Sequence, residues 1–246
     1  VLAETLPQLP DSDFAKSKRQ LQKTEMLNYL DHVQQQIDAL PFSEEVKQAA
    51  VQQECLRRQP EALKSDSPSA AARRGALLVH YSTDYVFAGD KTTPYVETDP
   101  TGPTGVYGRT KLAGEQAAAA HHPAPLIIRT AWVYAAQGNN FVRTMLRLMA
   151  ERDEVRVVAD QVGTPTHALS LAHAIWALQG HSGVFHWTDA GITTWYDFAV
   201  AIQDEALRMG LLTRHVPIIP IATADYPTPA RRPAWSVLDK GSSWAI

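Results

Sequence analysis

Residues 76–87 read ALLVHYSTDYVF, a mostly apolar run that ends in hydroxyl and carboxyl side chains. A short apolar run of this kind is typical of a strand buried on both faces of a parallel sheet. The predicted strands are 76–82, 125–130, 155–159, 184–188 and 216–221, and the predicted helices are 108–120, 140–151, 167–179 and 194–209. This alternation of strands and helices predicts an α/β fold with a largely parallel sheet.

The composition changes near residue 70, which divides the chain into two unlike segments. The first glycine is Gly75, whereas ten of the 15 glutamines precede residue 60. Apolar side chains before the change recur at three- and four-residue steps, among them Leu30, Val33 and Ile37, which indicates amphipathic helices. We therefore expect a helical segment over 1–69, followed by an α/β domain over 70–246.

Composition and charge exclude several classes of protein. The chain has 246 residues, a net charge of -3 and 45% hydrophobic residues, so a generally basic surface for nucleic acid is not expected. Cys55 is the only cysteine, which excludes an intrachain disulfide and favours a reducing, cytoplasmic setting. No apolar run is long enough for a membrane helix, and the first residues lack the pattern of a secretory signal. We expect neither nucleic acid nor a membrane as a partner.

A Tyr-x-x-x-Lys motif, Tyr107 and Lys111, lies at the start of the first predicted helix. Residues four apart share a helix face, and a cation beside a phenol lowers the tyrosine pKa from its usual value of about 10. Tyr107 is then a credible proton donor to a carbonyl oxygen that receives a hydride. A hydroxyl of Ser82 or Thr83 can position the same oxygen. The motif alone also occurs by chance as an exposed helix pair.

The strings around this motif are more specific than the motif itself. They read TGPTGVYGRTKLAGE at 101–115, RTAWVY at 129–134, GNNFVRTML at 138–146, VVADQVGTPT at 157–166 and TPARRPAWSVLD at 228–239. In this order they resemble the dTDP-4-dehydrorhamnose reductases of the extended short-chain dehydrogenase/reductase superfamily, over about residues 70–239. The resemblance implies a partial Rossmann-like, doubly wound parallel sheet, preceded here by the helical segment.

The same resemblance implies an oxidoreductase of nucleotide-sugar metabolism. Such enzymes use NADPH or NADH to reduce the C4 ketone of dTDP-4-dehydro-L-rhamnose to dTDP-L-rhamnose, a step towards rhamnose-containing polysaccharides such as O-antigen. The nucleotide sugar is the expected partner, and a homodimer is compatible with the family. Some members use magnesium, but we assign it no ligands, because no His, Asp and Glu cluster has metal-ligand spacing.

The resemblance also implies roles for individual residues. Tyr107 matches the proton donor, Lys111 the lysine that tunes it and holds the nicotinamide ribose, and Thr83 the third member of the catalytic triad. The predicted cofactor contacts are Tyr107, Lys111 and Ser82. The predicted substrate contacts are Thr83, Asp84, Trp132, Asn140, Gln161 and Arg232. For Trp132 the alternative is a core aromatic, and for the last three it is an ordinary buried or surface role.

The sequence departs from the family pattern at both ends. Family members begin with a strand, a Gly-rich turn and a helix that holds the cofactor pyrophosphate, but no glycine here precedes Gly75. Gly102, Gly105 and Gly108 fit a G-x-x-G-x-x-G pattern, yet they follow a polar segment, so we interpret them as a turn into the Tyr107 helix. The chain ends soon after residue 239, and Trp235 replaces a small polar residue.

These departures predict poor cofactor affinity beside a recognisable set of site residues. Two alternatives to an active reductase therefore stay open. One is a non-catalytic regulatory or binding subunit of the same fold family, and the other is an inactive fusion fragment.

Overall fold

A computed structural model describes residues 68–246, apart from Ala70, Pro229 and Arg231. The predicted helical segment over 1–69 therefore lies almost wholly outside the described residues. The strands are β1 (Val79–Thr83), β2 (Leu126–Thr130), β3 (Val133–Tyr134), β4 (Val155–Val158), β5 (Val162–Gly163), β6 (Thr166–His167), β7 (Gly183–His186), β8 (Thr193–Thr194) and β9 (Ile218–Ile221). The helices are α1 (Val106–His121), α2 (Phe141–Glu151), α3 (Ala168–Ala177), α4 (Trp195–Arg208) and α5 (Gly241–Trp244).

The predicted alternation of strands and helices is confirmed. The five predicted strands correspond to β1, β2, β4, β7 and β9, and the four predicted helices correspond to α1–α4. The strands β3, β5, β6 and β8 were not predicted. Each of these strands has two residues, which is too short for a hydrophobic period to emerge.

The strands are mostly parallel, but they are divided among several small sheets. The largest sheet has the order β1–β2–β7, and all of its pairs are parallel. The strands β4 and β9 form a separate parallel pair, and so do β3 and β6, whereas β5 and β8 are antiparallel. The prediction of a largely parallel sheet is thus confirmed in strand direction.

Helices cover both faces of the three-stranded sheet. Successive side chains of a strand point to opposite faces, so the two faces of β2 contact different helices. Leu126 and Ile128 of β2 belong to a buried cluster with Leu171 of α3. Arg129, which follows Ile128 and points to the other face, pairs instead with Glu115 of α1. This arrangement is the doubly wound fold that the family resemblance implies.

A second core lies between α2, α4 and β4. Met145, Met149, Val155 and Ile202 are buried there in one apolar cluster. Side-chain caps help to fix where both helices begin. Asn140 accepts a hydrogen bond from the backbone N–H of Arg143, as the corresponding Thr194 does from Asp197.

The C-terminal segment packs beside the end of β1. The backbone N–H of Tyr95 donates to Val237 O at 2.9 Å, and the Tyr95 ring stacks on Phe87 with centroids 4.3 Å apart. These contacts belong to a small buried cluster with Leu238. The segment that carries Ser236 is thereby brought to the predicted site.

Candidate active site

The helix α1 packs against the end of β1 and brings the predicted triad elements together. Tyr107, in the first turn of α1, is 37% exposed and makes an edge contact with the Tyr85 ring, with centroids 5.8 Å apart. One turn later, Lys111 Nζ donates to Tyr81 O at 2.5 Å. The two side chains of the motif therefore stand on α1 beside the strand that carries Thr83.

The close approach of α1 depends on a glycine. A Cβ at Gly108 would lie 2.0 Å from Tyr85 O, so a larger residue would push the helix away. The helix begins at Val106, directly after Gly105. Gly102 and Gly105 thus precede the Tyr107 helix, as we expected of a connection into it, whereas Gly108 lies within its first turn.

The surroundings of Lys111 shift the pKa of its ammonium group. Burial lowers the pKa of its ammonium group, and the negative charge of Glu115 opposes that shift. Behind it lies His80, whose ring is so near the helix that a Cβ at Gly114 would be 2.7 Å from His80 Cε1. Burial lowers the pKa of His80, and the positive charge of Lys111 lowers it further. The Lys111 ammonium is therefore supported by one carboxylate next to a histidine that favours its neutral form.

A buried ion pair that the sequence analysis missed anchors α1 to the sheet. Arg129 Nη2 donates to Glu115 Oε2 at 2.8 Å, and Arg129 Nε donates to Oε1 at 3.0 Å. The Ser82 hydroxyl donates to the same carboxylate. The Arg129 guanidinium also lies 5.0 Å from the centre of the Phe87 ring. A signal was available, because a lone arginine in an apolar strand requires a partner.

Thr83 and Asp84 form a second hydrogen-bonded unit at the end of β1. Thr83 Oγ1 donates to Asp84 Oδ1 at 2.7 Å and accepts from the backbone N–H of Tyr85 at 3.3 Å. Asp84 is 4% exposed, and burial raises its pKa to about 6, against the opposing effect of the Thr83 and Ser236 hydroxyls. This carboxyl group can exchange a proton near neutral pH.

Trp132 is packed against other side chains. Its ring stacks on Trp195 with centroids 3.5 Å apart, and it lies so close to Gly163 that a Cβ there would be 2.6 Å from the ring. Its backbone φ of 48° is in the left-handed region, which is uncommon for a bulky residue. This packing favours the core-aromatic alternative, and a substrate contact by Trp132 stays a prediction.

The remaining predicted substrate contacts have different surroundings. Asn140 caps α2 and donates to Ala135 O at 2.8 Å. Gln161 is buried and donates to Thr223 Oγ1 at 3.0 Å. Arg232 is half-buried in the C-terminal segment. The substrate roles of these three residues stay predictions, and the first two have the structural contacts that the alternative reading expected.

The described residues contain neither a metal-binding cluster nor a membrane-spanning helix. No group of three or more His, Cys, Asp or Glu side chains in this part of the chain is arranged to hold a metal ion. Among its helices, none combines the length and the apolar character needed to cross a membrane.

Comparison with known sequences identifies a family and several similar proteins. The family model for the RmlD substrate binding domain matches residues 49–245. The dTDP-4-dehydrorhamnose reductase of Shigella flexneri is 49% identical over 171 residues, which are 67% of this chain and 57% of that protein. The enzyme of the same name from Burkholderia thailandensis is 49% identical over 190 residues, 69% of this chain and 61% of the relative. The chain thus spans about three fifths of the length of these relatives.

Solved structures agree with the sequence relatives. The dTDP-4-dehydrorhamnose reductase of Bacillus anthracis, crystallised in complex with NADP, matches with a TM-score of 0.66 and 38% identity, over 70% of this chain and 60% of the other. The orthologue from Clostridium acetobutylicum matches with a TM-score of 0.67 and 41% identity, over 76% of this chain and 68% of the other.

Proposed function

Because the chain belongs to the RmlD substrate binding domain family, we propose that it is the catalytic and sugar-nucleotide-binding part of a dTDP-4-dehydrorhamnose reductase. The proposed reaction reduces the C4 ketone of dTDP-4-dehydro-L-rhamnose to dTDP-L-rhamnose. The observation that carries this proposal is the packing of the Tyr107–Lys111 helix against the end of β1. The proposed cofactor is NADPH or NADH, since a similar enzyme was crystallised with NADP.

The residues present fit one end of such a cofactor. Tyr107 is partly exposed, and Lys111 lies one turn away on the same helix, where both can contact the nicotinamide ribose. When bound, the cofactor supplies the hydride. We therefore propose cofactor contacts by Tyr107, Lys111 and Ser82.

The proposed chemistry of the chain itself is proton donation. The Tyr107 hydroxyl gives its proton to the substrate oxygen, and the Lys111 ammonium stabilises the phenolate that is left. Tyr81 O holds the ammonium in place, and the nearby Glu115 carboxylate favours its charged form. Thr83 orients the substrate oxygen, while Asp84, Trp132, Asn140, Gln161 and Arg232 are the proposed contacts to the nucleotide sugar.

The wider biological setting is also part of the proposal. The activity belongs to rhamnose biosynthesis and thus to the supply of polysaccharides such as O-antigen. A cytoplasmic location agrees with the single cysteine, Cys55. A homodimer is proposed from the family resemblance.

A Tyr107→Phe variant tests the proposed activity. Removing the hydroxyl eliminates the proton donor, so NADPH consumption with dTDP-4-dehydro-L-rhamnose should fall by about 10²–10⁴-fold. Circular dichroism should be unchanged. Tyr196→Phe, on the half-buried face of α4, is the matched control and should retain activity.

Other outcomes would favour the alternatives. Equal activity of the Tyr107→Phe variant would contradict the mechanism. A folded wild-type chain that binds dTDP but never consumes NADPH would favour a binding subunit, and a chain that binds neither would favour an inactive fragment.

A further inference from the structure

The Thr83 hydroxyl already donates its proton in a hydrogen bond within the protein. A hydroxyl group has one proton to donate, and in Thr83 that proton is directed at Asp84 Oδ1, 2.7 Å away. The neighbouring hydroxyl, Ser82, donates to Glu115. Thr83 therefore cannot donate to a substrate oxygen while Asp84 accepts its proton.

Asp84 is buried, and no cation among the described residues contributes to its pKa. Its Oδ2 atom is buried and makes no well-formed hydrogen bond with the described residues, although the Ser236 hydroxyl is near enough to favour the charged form. That hydroxyl also makes a long contact of 3.4 Å with Val162 O. Polar support for the Asp84 carboxylate thus comes from hydroxyls and from the backbone N–H groups of Asp84 and Tyr85.

Two charged groups of the neighbouring helix α1 have other partners. On α1, Lys111 is bound to Tyr81 O. Glu115, also on α1, is paired with Arg129 of β2. Asp84 therefore changes its proton occupancy at a mildly acidic pH, because burial disfavours its ionised form.

We propose that Asp84 is a positioning residue whose protonation state sets the direction of the Thr83 hydroxyl. As a carboxylate it holds the Thr83 proton. As a neutral acid it donates its own proton to Thr83 Oγ1, and the Thr83 proton is then directed at the substrate oxygen. No covalent bond to carbon changes, and the only proton taken up or released is the one on Asp84. The consequence for turnover rests on the proposed function.

The Asp84–Thr83 coupling can be measured without enzyme activity. The carboxyl carbons of aspartate are labelled with 13C, the Asp84 signal is assigned from its loss in Asp84→Asn, and its titration is followed by NMR. The wild-type midpoint should be near pH 6. Thr83→Val removes the donor to the carboxylate and should raise the midpoint by about one pH unit, a tenfold change in proton affinity.

Two further variants make this test specific. Thr83→Ser keeps the hydroxyl and should restore the wild-type midpoint. Thr130→Val is the matched control, because Thr130 is the register partner of Thr83 on β2 and its Oγ1 has no hydrogen-bond partner among the described residues. An unchanged midpoint in a folded Thr83→Val chain would overturn the proposal.

The pH dependence of kcat/KM tests whether the same Asp84–Thr83 coupling operates during turnover. In the wild type, kcat/KM should fall about tenfold per pH unit above the Asp84 midpoint. In Asp84→Asn the amide donates permanently to Thr83, so this fall of kcat/KM, the alkaline limb of the profile, should disappear. The exposed Asp204→Asn variant is the control and should keep the limb. Persistence of the limb in Asp84→Asn would overturn the proposal. Absence of wild-type turnover would contradict the proposed function instead, and the NMR titration would still decide the coupling.

Discussion

Two carboxylates are buried near the end of β1, and each is 4% exposed, yet their surroundings differ. Glu115 accepts hydrogen bonds from Ser82 and from two nitrogens of Arg129, so a cation compensates its charge. Asp84 has hydroxyl groups and backbone N–H groups around it, and its pKa rises to about 6. Equal burial thus produces an anchor where a cation accompanies the carboxylate, and a titrating group where none does.

The largest effect is expected when the compensated carboxylate loses its cation. Arg129→Met keeps the apolar stem but leaves the Glu115 charge buried, so the free energy of unfolding should fall by about 3–5 kcal/mol. Urea denaturation at pH 7 measures this loss. The double variant Arg129→Met/Glu115→Gln should recover much of it, and a loss below about 1 kcal/mol in the single variant would contradict the contrast with Asp84.

Neutralising the Asp84 carboxylate should, in contrast, raise the free energy of unfolding. A pKa raised from 3.8 to about 6 means that ionised Asp84 costs the fold about 3 kcal/mol. Asp84→Asn should therefore stabilise the chain by about 3 kcal/mol at pH 7, and the gain should shrink to less than about 1 kcal/mol near pH 4. Urea denaturation across this range tests both values.

The sign of this pH dependence follows from linkage. The folded state binds more protons at Asp84 than the unfolded state between about pH 4 and 6, so this contribution falls as pH rises. Buried His186, whose pKa is lowered to about 4, contributes oppositely, because its stabilisation is lost as pH falls from 6.5 towards 4. The difference between wild type and Asp84→Asn cancels the His186 contribution. A gain independent of pH would show that ionisation is not the cause.

The smallest effect is expected from the shared hydroxyl at Glu115. Ser82→Ala removes one of three donors but leaves Arg129 in place, so the free energy of unfolding should fall by about 1.5 kcal/mol. The same denaturation assay measures it, with Ser182→Ala at an exposed position as a comparison for the loss of a hydroxyl. A loss as large as that of Arg129→Met would mean that the hydroxyl, and not the cation, compensates the carboxylate.

Much of the fold could be predicted because its signals are local. Apolar runs such as those of β1 and β2 are visible along the sequence, and so is the spacing that marks α1. The two-residue strands carry no such signal, and the division of the strands into separate sheets depends on pairings such as Val155 with Ile218. Those pairings join residues far apart in the chain, for which a single sequence holds no period.

The sequence predicts which residue types lie at the site better than it predicts the contacts that they make. Tyr107 and Lys111 share a helix face because their spacing requires it. Ser82 and Thr83, in contrast, were expected to offer hydroxyls to ligands, and the structure directs both protons to carboxylates. A hydroxyl is equally suited to either partner, so the choice depends on which acceptor the fold brings within hydrogen-bond distance.

The sequence establishes the order of elements, the Tyr-x-x-x-Lys face and the family pattern, since all of these are written in residue types and spacings along one chain. The charge states of the carboxyl groups around the site depend on the tertiary structure. Glu115 meets Arg129 because α1 packs against β1, whose parallel neighbour β2 carries Arg129. Asp84 lies beside Ser236 because the C-terminal segment returns to the end of β1. Burial and the identity of a distant partner determine whether a carboxylate is compensated, and both arise through contacts between residues remote in sequence.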